Sequence, residues 1–462
     1  MSDKSRGEVR EISGPTKRVL MISYNYPPTG AGGSIRTTKL ARYLPSCGWS
    51  PTILTVGRER TRWSKGDASE GVFPGVKIVR APFPDILTSM KDFMVSKGFM
   101  KAAGPGAETL LSRSAGGSSG QRSPLERVLR WLKRWASFPD RYNLWIPFAF
   151  MCGFKELRSG QYDAIYSSSP PIVDNILAAA LQRLSGLPWV ADFRDPWTQN
   201  PYLQFTPFEL KATRALEREV LERSSAIVTV SEPLAGMLRE LHGDREGGVD
   251  CITNAFDPDD FRGHVEPSRD RFVITYAGMF YGDKRSPAGF MRAVEELLNE
   301  GAISHDELLV RLYGPYDPVV QEVKASLTHP EVLEVNDVVS RQEVIERERE
   351  STALLILAWD DAYSATGYGG KVFEYLGARR PILAWNPAGG LLDELLEQTG
   401  AGVSVSSHQE VKAVLADWFK EWRATGAVAY RGHEVDIQSY GWDKHANDFA
   451  LILDTISGAR RD

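Results

Sequence analysis

Two stretches of the sequence carry residues suited to holding a strongly charged anion. In YAGMFYGDKRSPAGFMRAVEEL, from Tyr276, an apolar strand ends at Gly278, and a short loop then presents Lys284 and Arg285 ahead of a helix. Adjacent cations at the carboxyl end of a strand are placed to bind phosphates without a metal, although on an ordinary surface the same pair is solvated charge. In SATGYGGKVFEYLGARRPILAW, from Ser364, Gly369 and Gly370 open a helix that begins with Lys371 and carries Glu374 about one turn in. Glycine admits close backbone approach, and the free N–H groups of a helix start favour an anion. Glu374 has apolar neighbours in Val372, Phe373 and Leu376, so it is expected to be buried, as a capping charge or as a group serving the ligand.

Four further clusters carry residue types that could do chemistry. Gly30-Ala31-Gly32-Gly33 follows a strand and opens a helix, the setting of a dinucleotide fingerprint, but Ile35 stands where the third glycine belongs. The second strand ends in Val56-Gly57-Arg58 and supplies no acid for a ribose, so no NAD site is expected. Gly32 and Gly33 remain a turn whose N–H groups can meet an anionic or sugar ligand, or a plain tight turn. Asp192-Phe193-Arg194-Asp195 closes the strand LPWVADF, where Asp192, Arg194 and Asp195 could touch sugar or acceptor or form a buried salt-bridge network. Asp257-Pro258-Asp259 and Asp360-Asp361 read as turns, since aspartate caps and turns the chain.

These groups need a scaffold, and the pattern supplies one. RVLMISY, WSPTILTV, YDAIYSSSP and LPWVADF are apolar strands alternating with helical stretches. A second series from Phe272 runs FVITYAG, AGFMRAVEELLNEG, LLVRLYG, ALLILAW, GKVFEYLGA and PILAW. Such alternation predicts α/β architecture with two parallel-sheet, Rossmann-like domains facing across a cleft at the carboxyl ends of their strands. The boundaries are a polar tail over 1–16, a first domain over 17–265, a second over 266–440 and a closing helix over 441–462 that packs back toward the first. The Gly/Ser-rich stretch within 86–124 reads as a mobile insertion.

A chain of 462 residues with 42% hydrophobic content is long enough for two or three domains. Net charge is −5, which argues against general nucleic-acid binding. Cys47, Cys152 and Cys251 are far apart and form no CxxC pair, and the seven histidines show no HxxxH spacing, so neither disulfide framework nor metal site is expected. Without an apolar leader or an 18-residue apolar run, the sequence reads as cytoplasmic.

MISYNYPPTGAGGSIR, DAIYSSSPP with PWVADFRDPW, ITNAFDPDDF, YAGMFYGDK and above all GGKVFEYLGARRPILAW together resemble the family 4 glycosyltransferases of GT-B fold, in order, over about residues 17–456. The likeness is to the branch that often serves bacterial surface-polysaccharide pathways. It implies a retaining, metal-independent transfer of a sugar from a nucleotide diphosphate sugar to a hydroxyl acceptor, with no further cofactor. It places the donor on the second domain, at Gly278, Lys284, Arg285, Gly369, Gly370 and Lys371, with Glu374 on the ribose. This sequence departs from the family at Thr366, where a sugar-contacting glutamate is common, at Met279, where arginine is common, and at Arg194, where many relatives have histidine. Alternatives on the same fold are a nucleotide-sugar 2-epimerase or hydrolase and a non-catalytic sugar-nucleotide-binding subunit. Arg127, Arg130, Lys133 and Arg134 interleave with Leu129, Trp131, Leu132 and Trp135, which suits an anionic membrane surface and a lipid-linked acceptor, or simply packing with solvated cations.

Overall fold

The computed structural model describes residues 17–28, 33–57, 72–83, 138–243, 248–359, 361 and 364–458. The tail over 1–16, the insertion over 86–124, Gly30 to Gly32 and the basic-aromatic residues 127–135 lie outside the described residues.

The first sheet contains β1 (Lys17–Ile22), β2 (Trp49–Val56), β3 (Lys77–Ala81), β4 (Ala164–Ser169), β5 (Trp189–Phe193), β6 (Ala226–Thr229) and β7 (Val249–Cys251). Its order is β3-β2-β1-β4-β5-β6-β7, with every pair parallel. Helices α1 (Ser34–Tyr43), α2 (Ile146–Ser159), α3 (Val173–Ser185), α4 (Pro207–Arg223) and α5 (Glu232–His242) belong to this domain. The second sheet contains β8 (Phe272–Ala277), β9 (Leu308–Tyr313), β10 (Leu333–Asn336), β11 (Ala353–Leu357), β12 (Ile382–Trp385) and β13 (Gly402–Val405). Its order, β10-β9-β8-β11-β12-β13, is again parallel throughout. Around it lie α6 (Ala288–Asn299), α7 (Pro318–Ser326), α8 (Arg341–Glu350), α9 (Gly370–Ala378), α10 (Leu391–Thr399) and α11 (His408–Thr425), followed by α12 (Glu434–Gln438) and α13 (Trp442–Gly458).

Unbroken apolar runs such as ILTV and ALLIL follow from this arrangement. Helices cover both faces of each sheet, so β8 and β11 are buried at every position rather than alternately. Strand order reverses between β1 and β4 and again between β8 and β11. At those switch points the adjacent connections leave on opposite faces, and a crevice opens at the carboxyl ends of the strands.

The chain crosses between domains twice, side by side. Phe256 N–H donates to Tyr440 O at 3.0 Å, and Trp442 N–H to Phe256 O at 2.9 Å, so the outgoing and returning segments pair. Beyond that crossing α13 returns to the first domain. Trp442, Ala446, Phe449, Ala450 and Leu453 recur at helical spacing and pack with Val19, Met21, Leu40 and Tyr166. Phe449 is 1% exposed, edge-on to Tyr166 and beneath the Arg36 guanidinium. Phe449→Ala is expected to destabilise the protein by about 3–5 kcal/mol, the usual cost of deleting a buried phenyl ring. Phe449→Leu should cost clearly less. Urea unfolding of both variants checks this, and equal midpoints for wild type and Phe449→Ala would remove α13 from the first-domain core.

Candidate functional site

The candidate site gathers at the carboxyl ends of β8 and β11. Gly278 N–H donates to Tyr313 O at 2.9 Å, which continues the ladder one residue past β8. The chain then turns through Tyr281 and Gly282, with φ of 58° and 64°. Left-handed backbone is rare for a tyrosine and marks a place where the surroundings dictate the conformation. Here Gly282 N–H donates to Asp317 Oδ2 at 3.0 Å, which pins the turn to the start of α7. A short 3-10 turn over Gly282–Arg285 follows and carries both cations.

Lys284 is exposed, and its ammonium lies 3.9 Å from the Tyr202 ring centre and 4.3 Å from that of Trp359. Arg285 lies over Tyr281 and Trp359, at 5.3 and 5.6 Å. Tyr202 comes from the first domain, and its hydroxyl donates to Asp361 Oδ2 of the second at 2.5 Å. The aromatic faces hold the cations at the domain junction by attraction worth about 0.5–1 kcal/mol each at an exposed site. Contacts this weak leave the ammonium able to turn toward a stronger anion. Nearby, Ser231 Oγ donates to the Thr366 carbonyl at 2.8 Å, a second link between the domains.

The α9 start is open. Gly369 and Gly370 are exposed, neither has positive φ, and a Cβ added to either would meet nothing within 4 Å among the described residues. No feature of the folded backbone demands glycine there, and the N-cap offers no side chain to the first-turn N–H groups. What glycine leaves is clear access to the positive end of the helix. Tyr375 OH accepts from Ala277 N–H at 3.1 Å, which fixes α9 against the end of β8. The buried Tyr276 hydroxyl joins the two parts. Burial raises its pKa, while the charges of Arg285 and Lys371 oppose that rise.

Glu374 is buried, as its apolar neighbours imply. Its Oε2 accepts from Lys371 Nζ at 2.6 Å, and its Oε1 accepts from the Arg341 guanidinium. Burial pushes this carboxyl up, but Lys371 and Arg341 outweigh it and hold it below the ordinary glutamate range. Each oxygen carries one donor and keeps a lone pair for another. Lys371 also reaches Glu348 Oε1 at 3.1 Å with about a third of its side chain exposed (35%), and Arg341 reaches Asp260 Oδ2 at 3.0 Å.

In the first domain, Gly33 and Arg194 come together. A Cβ on Gly33 would lie 3.0 Å from the Arg194 guanidinium nitrogens, so a side chain there would push the guanidinium back by a few tenths of an ångström. Asp195 is exposed beside them. Asp192 does not reach the cleft, contrary to its expected contact with sugar or acceptor. It is 0% exposed and accepts from Arg36 Nε at 2.8 Å, Arg36 Nη2 at 3.1 Å, Tyr166 OH at 2.7 Å and Ser168 Oγ at 2.8 Å. It forms the buried network that was the other reading of that motif. Asp257-Pro258-Asp259 is a turn: Asp257 Oδ1 accepts from Asp259 N–H at 3.0 Å, and the carboxylate also takes Lys39, Arg42 and Tyr43.

Sequence reading missed Tyr202, Trp359, Arg341 and Glu348. Trp359 alone had a signal, since it follows ALLILA at the carboxyl end of a strand. Glu348 shows the cost of closing this network. It is 0% exposed, and its Oε2 has no hydrogen-bond partner among the described residues. Burial raises its pKa, Lys371 opposes, Glu374 adds to the rise, and the carboxyl is pushed up to about 7 from 4.5. The folded state thus keeps a proton that the unfolded chain releases at lower pH. The stability from this group is complete below about pH 4.5 and is lost as pH rises through about 7. Glu348→Gln, which carries no titratable proton, is expected to flatten the stability profile across that interval. Urea unfolding at several pH values checks it, and an unchanged pH slope in the variant would refute the assignment.

The glycosyl transferase 4-like domain profile matches residues 31–254. No curated protein sequence matches the chain. Among solved structures, sucrose-phosphate synthase from Thermosynechococcus elongatus is similar, with a TM-score of 0.59 at 14% identity, covering 96% of this chain and all of that one. The α,α-trehalose 6-phosphate synthase of Burkholderia multivorans gives 0.56 at 11%, covering 97% and 100%. HepE of Anabaena, in complex with UDP and glucose, gives 0.55 at 12%, covering 95% and 100%. Identities this low speak to the fold. Two parallel sheets with a junction at their carboxyl ends and a closing helix returned to the first domain give this chain the GT-B fold, and residues 31–254 match a glycosyl transferase 4-like domain.

Proposed function

We propose that this protein transfers a sugar from a nucleotide diphosphate sugar to a hydroxyl acceptor, with retention and without a metal. The observation that carries the reading is the open, glycine-flanked start of α9, fixed to the same strand end as Lys284 and Arg285. HepE, solved with UDP and glucose on this fold, supports a nucleotide sugar as partner. The diphosphate lies at the α9 start, and Glu374 accepts from ribose hydroxyls with the lone pairs that Lys371 and Arg341 leave free. As the glycosidic bond breaks, negative charge grows on the leaving phosphate. Lys284 leaves its aromatic partners to meet that charge, and Arg285 and the helix start add to it; such stabilisation is usually the largest catalytic contribution. On a front-face route the leaving phosphate takes the acceptor's proton, and closure of the domains over the donor keeps water out. Arg194 and Asp195, across from the donor, face the acceptor.

The acceptor is lipid-linked in this reading, and the protein works at the inner face of the cell membrane. No helix among the described residues is long and apolar enough to cross a membrane. Helix α2 nonetheless exposes Phe148 (39%) and Met151 (64%) in one stripe with exposed Lys155 and Arg158. Apolar residues with flanking cations suit an anionic interface. Vesicles containing anionic lipid are expected to carry the protein in flotation, with less carried after Met151→Glu. No flotation with anionic vesicles would remove the membrane reading, and equal flotation with neutral vesicles would remove its dependence on anionic lipid.

Thermal shift with a panel of nucleotide sugars identifies the donor, since a ligand that binds the folded state raises its melting point. With donor and acceptor known, Lys284→Ala is expected to lower kcat by about 2–4 kcal/mol of transition-state stabilisation, the range for one lost oxyanion donor. Glu374→Gln should instead raise the donor KM more than it lowers kcat, because the ribose changes little during transfer. Near-normal kcat in both Lys284→Ala and Arg285→Ala would overturn the mechanism. Full-rate consumption of donor without acceptor would point to a hydrolase or epimerase.

A further inference from the structure

Far from this site, the amino ends of β9 and β10 hold a cluster that the transfer reaction does not use. His305 lies three positions before β9, and His329 and Glu331 lie just ahead of β10. Their rings stack almost parallel, 4.9 Å between centres and 6° between planes. Glu331 Oε1 stands 3.1 Å from His329 Nδ1 and 3.7 Å from His305 Nδ1, and one ligand atom from each of the three residues lies within 4.8 Å of the other two. Asp306 Oδ1 is 3.3 Å from His305 Nδ1.

We propose that His305, His329 and Glu331, with water completing the shell, form a surface site for a divalent transition-metal ion of the zinc type. Ligand atoms about 2.0–2.2 Å from a tetrahedral zinc ion stand about 3.3 Å from one another, and the observed carboxylate–imidazole separations bracket that spacing. Two imidazoles with one carboxylate select zinc, nickel or copper over magnesium and calcium, which prefer all-oxygen shells.

The ligands sit on anchored backbone. Ile303 (4% exposed) and Val332 (0%) are core residues adjoining the cluster. Glu307 N–H donates to Ser304 O at 3.1 Å, and Val332 N–H to His329 O at 3.2 Å, so each connection is a closed turn. β10 is the edge strand of the second sheet and β9 its inner neighbour. An ion here would staple the entry of the edge strand to that neighbour. The site is at the opposite ends of the strands from Lys284, so it serves stability and not the transfer step.

The test uses the full chain, free of any affinity tag, with zinc chloride, nickel chloride and magnesium chloride as probes. Calorimetric titration is expected to show one zinc ion per chain, with a raised melting point that a chelator reverses and magnesium does not reproduce. His329→Ala should weaken zinc binding by at least about 10-fold, the loss that follows removal of an outer-sphere partner alone. The double variant His305→Ala/His329→Ala should abolish the zinc-dependent shift while its metal-free melting point stays near that of wild type. No saturable zinc binding, binding unchanged in the double variant, or an equal response to magnesium would each overturn the proposal.

Discussion

A chain of buried and half-buried ion pairs ties the two domains to the helix that carries the site. From Glu374 on α9 it passes through Arg341 on α8 to Asp260, from there to Lys39 on α1, and through Asp257 to Arg42 and Tyr43. Asp257 is 0% exposed and Glu374 6%. Carboxylates removed from water this far are tolerable only with cations and hydrogen-bond donors around them, and loss of one partner strands the rest. The consequence is positional. The turn Pro258–Phe261 lies between the domains, so the same charges that anchor it fix α1 of one domain relative to α9 of the other.

A second buried pair does the same work from the first-domain side. Arg36 binds Asp192 at the end of β5 and donates to the carbonyls of Ile252 and Thr253, and its guanidinium lies over Phe449 of α13. The outgoing connection, the returning helix and the first sheet therefore meet on one side chain. Rigid clamping behind the cleft contrasts with what faces it. There the contacts are cation–ring attractions at Lys284 and Arg285, an exposed tyrosine hydrogen bond at Tyr202 and an uncapped helix start. Strong interactions at the back and weak ones at the front allow a ligand to displace the latter without disturbing the former.

Much of this was legible along the chain. Apolar runs of four to eight residues, broken by glycine turns and 3.6-period helices, specify parallel sheets because strands covered on both faces need no polar alternation. The glycines before Lys371, the cations after Gly278 and the helical spacing from Trp442 to Leu453 are local patterns, and each stands where its pattern placed it. Glu374 could be read as buried because its immediate neighbours are apolar.

The tertiary structure alone decided which distant side chains meet. Asp192 looked available at a strand end, yet β5 is buried on both faces and Arg36, 156 positions earlier, takes its carboxylate. Arg341 reaches Glu374 from 33 positions away, and Tyr202 reaches Asp361 from 159. His305 and His329 carry no ligand spacing in the sequence and converge because β9 and β10 are neighbours in the sheet. Periodicity and turn chemistry act over a few residues and are written locally. Partnership between loops depends on strand order and on how the two domains close, and single-chain spacing does not encode either.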